Sequence, residues 1–167
     1  ICNVVLNPFT NDSRVLKTSM SLAKAGHSVT VVAMHEPGLP EVEELQGIRV
    51  LRIRIRTRAL PRNPLTRMLS FAEFMLRALP KVTRANVLHC NDLGALVMGN
   101  VWKAVAFRQV RLVYDSHEFA MNDSAGETEL RMWLKRRLEQ LCIHAANRVI
   151  CVSPSIVRAY HAIHRIP

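Results

Sequence analysis

At 167 residues with 49% hydrophobic side chains, the chain is long enough to bury a single-domain core, and 5% aromatics make that core aliphatic. A formal net charge of +10 suits an anionic partner, whether nucleic acid, acidic lipid or phosphorylated substrate, and does not choose among them. Cys2, Cys90, Cys142 and Cys151 show no Cys-x-x-Cys or Cys/His ligand spacing, so free buried thiols are expected rather than disulfides or a metal. No apolar run reaches transmembrane length and no signal peptide opens the chain, so the expected location is cytoplasmic.

Cys2 to Asn7 reads as a buried strand, and Pro8 to Asp12 as a loop whose Asp12 or Ser13 caps a helix. Val15, Leu16, Ser19, Leu22 and Ala23 mark the inner face of that helix, Gly26 ends it, and Ser28 to Met34 is a second apolar strand. A strand–loop–helix–Gly–strand unit opens a doubly wound, mainly parallel sheet with helices on both faces. His35 to Gly47 reads as a polar loop. From Ile48 to Ile55 the pattern alternates, with Leu51, Ile53 and Ile55 on one side and Arg52, Arg54, Arg56 and Arg58 continuing the other. Such alternation predicts a strand with a solvated basic face, at a sheet edge. Leu65, Met68, Leu69, Ala72, Met75, Leu76 and Leu79 then recur at helical spacing, flanked by Arg62, Arg67, Arg77, Lys81 and Arg84. The stripe reads most simply as core; a basic helix with surplus apolar surface also suits an anionic bilayer.

Val87 to Cys90 is a short strand ending at Asn91-Asp92, and Leu93 to Phe107 is the next helix. Leu112 to Tyr114 is a strand that stops at Asp115-Ser116-His117-Glu118. Ligands of open α/β sheets bind outside the carboxyl ends of the strands, so this corner is where chemistry is expected. A polar loop follows, from Phe119 to Glu127. Leu130, Trp133, Leu134, Leu138, Leu141, Cys142 and Ala145 predict the buried stripe of a long helix. Arg148 to Val152 is a strand, and Ser153-Pro154 starts a helix with Pro at its first position.

Asn11-Asp12-Ser13-Arg14-Val15 with the helix to Gly26, Asn91-Asp92-Leu93, Tyr114-Asp115-Ser116-His117-Glu118 and Arg148-Val149-Ile150-Cys151-Val152-Ser153 together resemble the amino-terminal domain of family-4 retaining glycosyltransferases. The resemblance runs in order along nearly the whole chain. It departs at Pro8-Phe9-Thr10-Asn11, where many members carry Gly-Gly, and in having no second Rossmann-like domain with a Glu-x7-Glu motif and a basic pair.

The resemblance implies one half of a GT-B fold: residues 1–167 form the acceptor-side Rossmann-like domain, and a separate carboxy-terminal domain binds the donor. The complete enzyme would transfer a sugar from a UDP- or GDP-sugar, with retention and without a bound metal, to a glycan or lipid-linked acceptor; this piece alone would be inactive. By the same resemblance His117 contacts the donor sugar. Glu118 is placed to orient His117, Asp92 to accept from an acceptor hydroxyl, and Arg14 and Ser153, at helix starts, to meet an acceptor phosphate. Plainer roles stay open: a helix cap for Asp12, a cap or turn tie for Asp115, a loop tie for Asp92, a surface ion pair for Asp92 with Arg14, and a cap of the next segment for Glu118. Arg52, Arg54, Arg56, Arg67 and Arg77 are the candidate contacts to an anion or to the inner face of a membrane. The rival readings are a basic nucleic-acid-binding α/β domain and half of a sugar-nucleotide epimerase of the same fold. Nucleic acid is disfavoured because the basic run lacks interleaved aromatics, and no Gly-x-Gly-x-x-Gly, P-loop or serine nucleophile elbow appears.

Overall fold

The computed structural model describes residues 1–105, 109–116 and 128–165. The fold class is the expected one: a mostly parallel seven-stranded sheet with helices on both faces. Its strands are β1 (Cys2–Val4), β2 (Thr30–Met34), β3 (Val42–Leu45), β4 (Ile48–Ile53), β5 (Val87–Cys90), β6 (Arg111–Ser116) and β7 (Arg148–Cys151), in the order β3-β4-β2-β1-β5-β6-β7. Two compact units divide the chain, Ile1–Leu88 and His89–Pro167.

In the first unit, helix α1 (Ser13–Lys24) starts where Asp12 accepts the Val15 amide at 3.1 Å, and Gly26, at φ 86°, turns the chain out of it. Val15 is buried with Val31, Ala33, Ile48 and Val50, and Leu16, Leu22 and Ala23 pack against that cluster. Beneath the helix the Asn3 side-chain amide nitrogen donates to Ser19 Oγ at 3.0 Å, joining two buried polar side chains.

Three expectations for this unit are corrected. The supposed loop 35–47 contains β3, antiparallel to β4 and closed by a two-residue turn in which Gln46 and Gly47 both take positive φ. β3 is therefore the edge strand, and β4 lies between it and β2. The basic face of β4 is not solvated either. Arg52 shares a face with Ile48 and Val50 and is buried, bonding Glu43 at 2.7 Å and the carbonyls of Pro8 and Pro40 at 3.0 and 3.1 Å. The strand stops at Ile53, and Arg56–Ala59 form a short 3-10 helix.

The third correction concerns α2 (Pro64–Val82), capped reciprocally by Asn63 and Thr66. Its buried residues are Phe74, Ala78 and Val82, while Leu65, Met68 and Leu76 are 59%, 63% and 66% exposed. At ~100° per residue the centre of the predicted stripe lies about 120° round the helix from the buried face, and only its inner members Ala72, Met75 and Leu79 are half-buried. The helix is apolar on both sides, and periodicity found the outer one.

In the second unit, α3 (Leu93–Val105) packs on β6, with Ala95, Leu96, Met98, Gly99 and Trp102 buried. The turn before β7 is tied to the start of β6 by Asn147, whose side chain accepts the Leu112 amide at 2.8 Å and whose own amide meets the Leu112 carbonyl at 2.7 Å. Helix α4 (Glu129–Ile143) repeats the lesson of α2: Leu130, Trp133, Leu134, Leu138 and Leu141 are exposed, and Glu139 and Ile143 are buried. Helix α5 (Pro154–His164) closes the unit, burying Tyr160 and His164. Cys2 and Cys90 are buried, Cys142 and Cys151 half-buried, and all four are free thiols. Burial drives the Cys2 thiol up to about 12, against a smaller opposing pull from the N-terminal ammonium.

Candidate functional site at the end of strand β6

β5 and β6 belong to the parallel part of the sheet, and each ends in polar residues. After β5 the chain passes through Asn91 to Asp92, which caps α3 by accepting the Ala95 amide at 2.7 Å. β6 ends in Asp115 and Ser116, both buried. His89 Nε2 lies 4.0 Å from Asp115 Oδ2, so the two strand ends face each other through an imidazole and a carboxylate. A buried ionisable pair at the carboxyl edge of a parallel sheet is where such folds place ligand-contacting groups.

Ser116 is held from behind. Its hydroxyl bonds the Tyr160 hydroxyl, and Tyr160 donates to Glu139 Oε1 at 2.5 Å. Tyr114 donates to the same oxygen at 2.8 Å, and His164 Nε2 stands 3.5 Å from Glu139 Oε2. Both tyrosines of the chain thus converge on one carboxylate that is 1% exposed. Burial, and after it the Glu139 charge, push the Tyr114 phenol well above its ordinary range; burial and the bond to Glu139 do the same for Tyr160. They remain donors at any pH the fold meets. Burial lowers the His164 pKa, outweighing the upward pull of Glu139, and nearby His144 lowers it further.

The residues singled out in the sequence are distributed as follows. His117 and Glu118 lie outside the described residues, as does the loop from Phe119 to Glu127. Asp92 caps α3, and Ser153 caps α5 by accepting the Ile156 amide at 3.3 Å. Both caps stand at strand ends within the second unit. Arg14, half-buried in the first turn of α1, belongs to the first unit. Arg54 pairs with Glu41 at 2.5 Å, Arg77 pairs with Glu73 at 2.7 Å, and Arg56 and Arg67 are exposed. Arg52 is the buried one described above. Sequence reading missed Glu139, Tyr160 and His164. Their one signal was the Tyr160/His164 spacing, which stacks the two rings at 5.0 Å between centroids on one face of α5. Among the described residues no three His, Cys, Asp or Glu side chains are grouped as a metal ion would require.

The first loop supplies a local explanation for the departure from Gly-Gly. Phe9 sits at φ 57°, in the left-handed region that glycine enters freely, with its ring buried and its amide held by Asn7 Oδ1 at 2.8 Å. Asn7 also donates to Asp12 Oδ2 at 3.1 Å, so the loop is tied to the cap of α1.

The fold is a mostly parallel α/β sheet whose strands β5 and β6 end in polar residues. The model of Glycosyltransferase Family 4 matches residues 13–167, and the chain belongs to that family. Among solved structures it is similar to sucrose-phosphate synthase from Thermosynechococcus elongatus, with a TM-score of 0.76 and 16% identity over 99% of this chain and 45% of that one. A shorter chain of the same synthase gives a TM-score of 0.70 and 18% identity, covering 96% of this chain and 80% of that one. The chain therefore spans less than half the length of the longer synthase chain. No curated protein sequence matches it.

Proposed function

We propose that this chain is the acceptor-side half of a retaining GT-B glycosyltransferase, which moves a sugar from a UDP- or GDP-sugar onto a glycan or lipid-linked acceptor. The observation that carries the reading is the family match over residues 13–167, which includes the strand end at Asp115-Ser116. In this reading His117 contacts the reacting sugar and Glu118 orients it, while Asp92, Arg14 and Ser153 line the acceptor side. The nucleotide belongs to a second, carboxy-terminal domain. The chemistry needs a positioned hydroxyl and charge stabilisation at the sugar, and groups fixed at strand ends provide position without reorganisation.

The reading places the enzyme at the inner face of a membrane. What supports this is α2, whose outer face exposes Leu65, Met68, Leu69 and Leu76 beside the exposed Arg62 and Arg67. Among the described residues no helix is long and apolar enough to cross a membrane, so attachment would be to the surface. Co-sedimentation with anionic vesicles, lost in Leu65→Ser/Met68→Ser, is the expected result; equal, negligible binding to anionic and neutral vesicles sinks the attachment.

The transfer itself is tested with the full-length protein, labelled UDP- and GDP-sugars and a membrane lipid extract. Labelled product should form and should fall by about 10²-fold or more in His117→Ala. Product formation that is unchanged in that variant removes His117 from the reaction, and no product from any donor removes the reading.

A further inference from the structure

Helix α4 carries an apolar seam on the side away from Glu139. At ~100° per residue, Leu130, Leu134, Arg137 and Leu141 lie within about 40° of the direction opposite that buried carboxylate. They follow one another at steps of four, three and four residues, the repeat of a coiled-coil seam. Trp133 and Leu138 flank the seam, and all five apolar residues are exposed, Leu141 by 76%. The helix beneath is nevertheless fixed. The Asn100 side-chain amide donates to the Cys142 carbonyl at 3.1 Å, Lys103 Nζ donates to the Ala145 carbonyl at 2.7 Å, and the two tyrosines hold Glu139 from within.

Arg137 stands in the middle of this seam. Among the described residues its partners lie on α4 itself: Gln140 Oε1 at 3.3 Å, and the Trp133 ring, whose centroid is 5.5 Å from the guanidinium carbon. No described carboxylate pairs with it. An apolar seam with one guanidinium at its centre is selective about what covers it. A bilayer would draw the seam into hydrocarbon with an unpaired charge at the deepest point, which is costly. A second copy laid antiparallel along α4 would set Arg137 against itself, and the exposed Arg131 and Arg136 on the flanks would add to the repulsion. A helix with an apolar seam and a carboxylate facing Arg137 has neither fault. It buries the leucines, and the carboxylate takes a charge-assisted pair that a plain apolar helix lacks. One polar residue within a seam is also what fixes register and partner in paired helices.

We infer that α4 is a docking surface for an acidic amphipathic helix of another protein, which seats its apolar seam on Leu130, Leu134 and Leu141 and one carboxylate on Arg137. The surface is made by α4 alone, so its failure leaves the transferase reading in place.

The test uses the full chain and two synthetic peptides of three heptads without aromatic residues. Both have leucine along the seam and glutamate on the flanks; one carries glutamate at the central seam position and the other lysine. Trp133 is the reporter, since Trp102, the second of the two tryptophans, is buried. The glutamate-centred peptide should shift the Trp133 emission to the blue and bind about tenfold or more tighter than the lysine-centred one. Arg137→Glu should reverse that order and leave the thermal melt in place, because Arg137 contacts only its own helix. Leu134→Asp/Leu141→Asp should abolish binding of both peptides. Equal affinity for the two peptides, the same order in Arg137→Glu, or no binding of either would each overturn the inference. So would a dimer in sedimentation that dissociates in Leu134→Asp/Leu141→Asp, in favour of a second copy. A Trp133 shift with anionic vesicles at concentrations where neither peptide binds would overturn it in favour of a membrane.

Discussion

Tyr160 donates its phenol to Glu139 at 2.5 Å, and with that single bond the last helix of the second unit is fastened to the one before it. The same carboxylate oxygen receives Tyr114 from β6, and Tyr160 also bonds Ser116, the last residue of that strand. Three elements therefore meet on one buried charge, directly behind Ser116 at the end of β6. A carboxylate taken out of water is costly unless several donors replace its hydration, and here two phenols do so. In return the end of β6 is held from two helices.

Tyr160→Phe should lower stability by about 1.5–3 kcal/mol, the range for a hydrogen bond to a charged group. Because Glu139 then keeps only part of its compensation, Glu139→Gln and Tyr160→Phe should not add. A double-mutant cycle from urea denaturation should give a coupling of about 1–3 kcal/mol. Additivity within about 0.5 kcal/mol would mean that the two groups do not share the load.

His164 gives the second unit a pH dependence. Its folded pKa is depressed below 6.5, mainly by burial, so at mildly acidic pH the unfolded chain binds the proton more readily than the folded one. Stability is then complete above about 6.5 and falls as pH drops from there toward the folded pKa. The slope from this group is at most about 1.4 kcal/mol per pH unit. Thermal melts between pH 7 and 5 should show the decline, and His164→Gln should flatten it. A variant as steep as the parent would assign the decline to other groups.

The fold was legible where local chemistry and tertiary packing agree. Asp12, the Val15–Ser19 face and Gly26 each mark α1 by their own stereochemistry, and the structure uses all three as expected. Reading failed where a helix offers two apolar sides. On α2 and α4 the larger residues form the regular outer stripe, while the buried side holds Ala78, Phe74 and Val82 in one case and Glu139 with Ile143 in the other. No periodicity rule places a glutamate in a core, because what admits it is a pair of phenols from β6 and α5, brought there only by the fold. β3 escaped for a similar reason: Val-Glu-Glu-Leu has too little apolar character to announce a strand, and pairing with β4 is what makes it one. At the candidate site Ser153 was legible as a helix start, whereas the capping role of Asp92 and the support behind Ser116 were not.

Gly99 tests how closely α3 approaches β6. A Cβ added there would come within 2.6 Å of Leu112 Cδ1 and 2.8 Å of Cys90 Sγ, both on fully buried residues. Helix propensity favours alanine by about 1 kcal/mol, but overpacking of this kind costs about 1–3 kcal/mol. Gly99→Ala should therefore be neutral to destabilising despite the better helix former. A gain near 1 kcal/mol would show that Leu112 gives way freely.

Phe9 poses the opposite balance, between a strained backbone and a buried ring. Its left-handed φ of 57° costs a non-glycine residue roughly 1–2 kcal/mol, whereas removing a buried phenylalanine ring costs about 3–5 kcal/mol. The ring should win, so Phe9→Gly is expected to be less stable than the parent by roughly 2–3 kcal/mol, the difference of those two terms. Phe9→Ala loses the ring and keeps the strain, and should be worse still by about 1 kcal/mol. That order, glycine above alanine, reverses the usual preference and is specific to a positive φ. If the two variants unfold at the same denaturant concentration, the loop relaxes when the ring is removed, and its conformation is held by Phe9 packing rather than by the Asn7 and Asp12 hydrogen bonds.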